Sequence, residues 1–181
     1  MPQALGVPVH VLLGGRVRDR VACYTHVRPA GSGPAEVARA CTELREAGWR
    51  ALRLTLPASG ETFEPRAAVR AGVETFAAAR EAVGDDVDLI LDVHTRLDPP
   101  EAALLCRELE PLRPLFVEDP LRCENLDAYR RLRERTAVPL AGSTTARPTP
   151  GDAFGPGPCS PASKARARST ALTPTARSAP W

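Results

Sequence analysis

Val87-Asp88-Leu89-Ile90-Leu91-Asp92-Val93-His94 and Phe116-Val117-Glu118-Asp119-Pro120 are two apolar runs that each close on a carboxylate. The first is apolar almost throughout, as expected of a strand covered on both faces. Between them, Asp98-Pro99-Pro100-Glu101 opens a helix: proline is tolerated in the first turn, Asp98 is placed to cap, and Glu101 completes a capping box. Ala102, Leu105, Cys106 and Leu109 then share one helical face. A strand, a helix and a second strand at this spacing make a parallel βα unit.

The same alternation extends outward from this pair. On the N-terminal side, Leu12-Leu13-Gly14-Gly15 reads as a helix stop, and Val21 to Val27 as a short strand. Pro34 to Gly48 is a helix with Val37, Cys41 and Leu44 inward and Gly48 at its C-terminal cap. Ala51 to Leu56 is a strand, and Glu64 to Val83 a helix stopped by Gly84, with Val69, Val73, Phe76 and Val83 along one stripe. On the C-terminal side, Pro114 to Val117 forms the fourth strand. Asn125 caps a helix that turns Leu126, Tyr129 and Leu132 inward, and Val138 to Ala141 begins a fifth strand. Five consecutive units suit either a (β/α) barrel or an open doubly wound sheet. Neither GxGxxG nor GxxxxGK[ST] occurs, which favours the barrel. An open flavodoxin-like sheet would need a ligand loop after the first strand, and Arg28-Pro29-Ala30-Gly31-Ser32-Gly33 is a poor one. The expected fold is therefore α/β, a partial TIM-type barrel of about five strands, with residues 1–20 as the end of a preceding region and linker and 21–141 as the barrel portion.

Residues 142–181 break the pattern. They hold no Val, Ile or Glu, and Phe154, Leu172 and Trp181 are their large apolar side chains. Such a segment buries too little surface to offset roughly 1–2 kcal/mol of backbone entropy per residue. It reads as a disordered Pro/Ala/Arg-rich tail, and its abrupt onset in mid-strand suggests an out-of-frame translation.

Composition narrows the function classes. The 181 residues carry a formal charge of +2, whereas a nucleic-acid binder needs a concentrated basic face, and the basic residues of 142–181 are dilute, so nucleic-acid binding is not expected. No stretch approaches a membrane span. The five cysteines are scattered, with no CxxC pair, which reads as reduced thiols in a cytoplasmic protein. Lys164, in the tail, is the only lysine, so Schiff-base chemistry is excluded from the barrel portion.

Five residues could carry chemistry. Asp92 and Glu118 end adjacent strands, where they either hold a hard divalent cation through oxygen or cap the following helices. His94 shares parity with Asp92 and is either an acid–base group or a core histidine. His26 ends the first strand. Arg53 lies near the end of the second, where it is either a bidentate clamp for a substrate carboxylate or simply solvated.

These motifs resemble a known family. Gly6-Val7-Pro8-Val9, Leu12-Leu13-Gly14-Gly15, Arg18-Asp19-Arg20-Val21 and Tyr24-Thr25-His26 are similar to the start of the enolase-superfamily barrel. Asp92-Val93-His94-Thr95-Arg96 and Val117-Glu118-Asp119-Pro120 are similar to its first two metal-ligand motifs. Asn125-Leu126-Asp127-Ala128-Tyr129 and Val138-Pro139-Leu140-Ala141 are similar to its next helix and strand. The mandelate racemase/muconate lactonizing enzyme-like branch fits best, and within it the galactonate- and mannonate-type acid-sugar dehydratases. The resemblance spans about residues 4–141. It implies a Mg²⁺-dependent lyase that removes a proton next to a carboxylate and then expels water. It also implies that Asp92 and Glu118 ligate the metal, that His94 is the general acid, and that His26 and Arg53 touch a small-molecule sugar acid. Arg53-Leu54-Thr55 stands where other branches carry Lys-x-Lys, which disfavours racemase or lactonising chemistry of that kind.

The departures from the family are equally plain. Thr144 stands near the place of the third metal ligand, an acid in the family. No histidine follows His94 to act as the proton-abstracting base. The capping domain and the last three strands have no counterpart. The expectation is an inactive or nearly inactive chain. A non-enzymatic half-barrel is the alternative, one that needs a complementary chain or acts as an interaction module through its exposed strand edge, with self-association into a homo-oligomer left open.

Overall fold

The structure, a computed structural model, describes residues 5–57 and 63–142. Five strands form one parallel sheet: β1 (Thr25–His26), β2 (Ala51–Thr55), β3 (Asp88–Asp92), β4 (Phe116–Glu118) and β5 (Leu140–Ala141). The helices are α1 (Val9–Leu12), α2 (Pro34–Glu46), α3 (Pro65–Val83), α4 (Pro99–Leu109) and α5 (Leu126–Arg133), with a short 3₁₀ turn at Glu110–Leu112. Strand order follows chain order, β1-β2-β3-β4-β5, without reversal. A doubly wound sheet reverses its order at a switch point, so the flavodoxin-like alternative is excluded. The expected α/β half-barrel is what forms.

The alternation along each strand sorts side chains onto two faces. Leu52 and Leu54 of β2, Leu89 and Leu91 of β3, and Val117 of β4 face the helices. They pack on Val69, Phe76, Ala79 and Val83 of α3 and on Leu105, Cys106 and Leu109 of α4, most of them with no solvent exposure. Each of the Leu, Val and Phe side chains among them contributes roughly 1.5–3 kcal/mol through burial. The residues between them, Arg53, Ile90, Asp92, Phe116 and Glu118, therefore look to the opposite, concave face. The curl of that face is visible directly. Tyr24, just before β1, meets Phe116 of β4 edge-on with ring centroids 6.5 Å apart. A flat sheet would hold β1 and β4 about 14 Å apart.

Helix ends follow the sequence signals, with one exception. Gly48 and Gly84 adopt positive φ (98° and 69°) just past α2 and α3, as stop residues do. Asn125 Oδ1 accepts from Ala128 N at 3.0 Å and caps α5. Asp98 precedes α4 but makes no side-chain cap bond. Pro99 and Pro100 fill the first two helical positions and have no N–H to donate, so the Glu101 N–H is the one donor within a cap's reach, and that bond is not made.

All five strands are shorter than expected, β2 and β3 by one residue at an end and β1, β4 and β5 in ways set by their pairing. Val21 to Tyr24 do not pair; the register Thr25↔Leu52 puts Val21 to Cys23 ahead of the start of β2. In β4, Leu115 lies outside the strand, although its N–H reaches Leu89 O at 2.7 Å, and the pairing instead includes Glu118. In β5, Leu140 and Ala141 alone pair, opposite Val117 and Glu118. The tail expected over 142–181 lies, except for Gly142, outside the described residues, and so does Thr144. Among the described residues no helix is long and apolar enough to cross a membrane.

Candidate active site

Three registers set the site. His26 lies opposite Arg53, Thr55 opposite Asp92, and Asp92 opposite Glu118. Two carboxylates thus stand side by side at the C-terminal ends of β3 and β4, on the concave face. In barrels of this kind that rim carries the chemistry.

Arg53 lies between the two acids. Its Nη2 donates to Asp92 Oδ2, and its Nε donates to Glu118 Oε2 at 2.6 Å. Its Nη1 sits 3.4 Å from His26 Nδ1. The Arg53 side chain is 12% exposed, Asp92 is fully buried and Glu118 is 23% exposed. Burial by itself would weaken the Arg53 charge. The Glu118 hydrogen bond and the charges of Asp92 and Glu118 outweigh it and hold the guanidinium above its ordinary range.

His94 completes the group by an unexpected route. Strand parity alone would have aimed it with Asp92, but β3 ends at Asp92 and His94 takes a left-handed φ of 55°. Its backbone N–H donates to Asp92 Oδ1 at 2.9 Å, and its ring Nε2 comes back to Asp92 Oδ2 at 3.0 Å. Half of the ring (47%) remains open to solvent. Thr95 and Asp119 also have positive φ, 58° and 46°. Such backbone is uncommon for any non-glycine residue and strained for a β-branched one. Thr95 N donates to Asp119 O at 2.8 Å, and Val93 N to Glu118 O at 2.9 Å, so the two strained turns brace each other. An open cavity of about 570 Å³ adjoins His94 and is also lined by Phe63, Thr95, Arg96 and Arg122.

All five residues singled out in the sequence therefore meet at one rim. Sequence reasoning missed Tyr24, whose ring stacks on His26 at 6.1 Å and 11°. It also missed the placement of Arg53 between the acids. The alternation Leu52-Arg53-Leu54 carried that signal, since two helix-facing leucines force the arginine to the other side.

A divalent cation fits this donor set poorly. The facing oxygens of Asp92 and Glu118 both point at a guanidinium. Among the described residues no group of three His, Cys, Asp or Glu side chains is placed to hold a metal.

Comparison with known proteins fixes the family. Residues 36–148 match the family described as Enolase C-terminal domain-like. The chain belongs to that family. It is 42% identical over 139 residues to a D-galactonate dehydratase of Klebsiella pneumoniae (strain 342) and 44% identical over 139 residues to one of Variovorax paradoxus (strain S110). Each match covers 77% of this chain and 36% of the relative, so the chain spans little more than a third of these relatives' length. A solved enolase from Pantoea ananatis, with bound D-gluconate and Mg, superimposes with a TM-score of 0.67 at 26% identity, over 77% of this chain and 41% of that one.

Proposed function

We propose that this chain carries the first part of a sugar-acid dehydratase site and does not turn over alone. The observation that supports this is the convergence of His26, Arg53, Asp92, His94 and Glu118 at one rim of a family barrel portion. His94 is the proton donor for a departing hydroxyl. Its ring is held by Asp92 through Nε2 and is half open to the adjoining cavity, which leaves Nδ1 as the nitrogen that presents a proton to a substrate oxygen. His26, stacked on Tyr24 beside Arg53, is placed to contact the hydroxyls of a sugar acid.

No histidine follows His94 among the 181 residues, so the base that takes the proton next to the carboxylate is assigned to none of them. Magnesium enters through the family and through the Mg-bound relative. With Arg53 seated between the acids, no step here is assigned to it. The D-galactonate dehydratases point to a six-carbon aldonate as the first substrate to try.

The experiment is complementation. The chain is assayed for 2-keto-3-deoxy acid from D-galactonate, alone and mixed with a polypeptide that supplies the remaining length of the Klebsiella relative. The expected result is silence alone, turnover in the mixture, and loss of that turnover with His94→Ala. Turnover by the chain alone refutes the silence. A mixture that co-elutes but converts no sugar acid refutes the dehydratase reading.

A second reading is a non-enzymatic half-barrel that engages a complementary chain. It is supported by exposed Leu13, Val17 and Val21 ahead of β1. Size-exclusion chromatography tests it, and a stable monomer counts against it.

A further inference from the structure

The acidic pair at the strand ends is charge-compensated by the chain's own Arg53. Asp92 is fully buried, and a buried carboxylate needs a positive partner. Arg53 supplies it through Nη2 and at the same time satisfies Glu118 through Nε at 2.6 Å. The other Asp92 oxygen is taken by the His94 N–H at 2.9 Å. A hard cation between the acids would need the two oxygens that Arg53 already holds, and would stand against a positive guanidinium confined by the protein. Displacing Arg53 would leave its charge without these partners on a side chain that is 12% exposed.

We infer that Arg53 is a built-in cation that takes the place of a divalent metal at this rim, so that the chain assembles its acidic pair without magnesium and is indifferent to it. A guanidinium suits the role. It is planar, permanently charged, and its fork of donors spans two carboxylates at once. It brings one charge instead of two and cannot dissociate. The same contacts bear on the substrate-clamp expectation for Arg53, since a substrate carboxylate would have to displace Asp92 or Glu118 to reach those donors. Neither this inference nor its test involves a sugar acid, so it stands or falls apart from the dehydratase reading.

The test uses the full chain, purified through a chelator. Thermal melts are compared in chelator and in millimolar Mg²⁺, and Mn²⁺ binding is followed by its electron paramagnetic resonance signal. For the unaltered chain, the two melts should coincide and the Mn²⁺ signal should match that of buffer. Arg53→Met should melt several degrees lower in chelator, regain part of the loss in Mg²⁺, and hold Mn²⁺ in a way that Glu118→Gln abolishes. Sub-millimolar Mn²⁺ binding by the unaltered chain, or a Mg²⁺-dependent rise in its melting temperature, overturns the inference. So does an Arg53→Met chain that melts like the unaltered one in chelator. Should Arg53→Met fail to fold, the Mn²⁺ titration of the unaltered chain still decides. Folding restored by adding Asp92→Asn to that variant would support the inference, because it removes the stranded charge.

Discussion

Arg53 Nε donates to Glu118 Oε2 at 2.6 Å across the intervening strand β3. The two residues sit on strands that are not neighbours, so the contact depends on the curl of the sheet as well as on side-chain reach. Asp92, on the strand between them, is covered by the same guanidinium. The rim is therefore a tertiary object, and its parts differ in how much they stabilise.

Asp92 and Glu118 should respond differently to loss of charge. Asp92→Asn removes a fully buried partner of Arg53 and should cost about 3 kcal/mol. Glu118 is partly solvated, and Glu118→Gln should cost about 1 kcal/mol. Urea denaturation with an unchanged slope checks both, and equal losses would contradict the burial difference.

The opposite end of the sheet holds a structural arginine. Arg80 of α3 donates to Gly84 O (2.8 Å), Val87 O (2.7 Å), Leu112 O (3.1 Å) and Arg113 O (3.1 Å), tying together the loops that enter β3 and β4. Burial lowers its pKa, partly offset by Asp85, yet the group stays charged. Arg80→Ala should cost about 2 kcal/mol, measured by urea midpoint. Arg80→Lys should recover only part, because an ammonium lacks the fork that reaches both loops.

Acid should weaken one latch. Glu110 Oε1 accepts from Ala137 N at 2.9 Å and from Thr136 Oγ1 at 3.0 Å, and these bonds hold its carboxyl below the usual carboxylate range. The unfolded chain therefore binds this proton more readily than the folded one. The contribution is complete above the ordinary carboxylate pKa and fades as pH falls through the lowered folded value. Urea midpoints measured across mildly acidic pH should fall less steeply for Glu110→Gln than for the unaltered chain.

Two thiols should be silent until the fold opens. Burial raises Cys41 to about 11 and, together with the Glu110 charge, Cys106 to about 12, and both are fully enclosed. Cys23 is exposed. A native-state thiol reagent followed by peptide mass analysis should label Cys23 rapidly, and Cys41 and Cys106 only in denaturant. Fast native labelling of Cys41 would mean that α2 packs more loosely on the sheet than its contacts indicate.

Much of the architecture was legible in the residues because the signals were local. The stripe Val69, Phe76, Val83 and the face Ala102, Leu105, Cys106, Leu109 each needed only helical periodicity to be read, and all are buried as expected. Asn125 as a cap and Gly84 as a stop are also local events. The Asp98 cap, read from the same kind of local signal, is not formed. The strand at Val21 to Val27 was overdrawn because strand length depends on the partner, and β2 offers no partner before Ala51.

By itself the sequence determined which residues face the helices and the order of strands and helices, and hence that Asp92, Glu118, His26 and Arg53 lie near strand ends in a parallel βα array. Those properties follow from periodicity, and periodicity is written along the chain. Tertiary structure alone decided that Arg53 lies between the two acids, that His94 returns to Asp92 from a left-handed turn, and that Tyr24 crosses to Phe116. These contacts join segments brought together by the curl of the sheet, or turn on backbone angles at a strand end, and neither is encoded in local hydrophobic pattern.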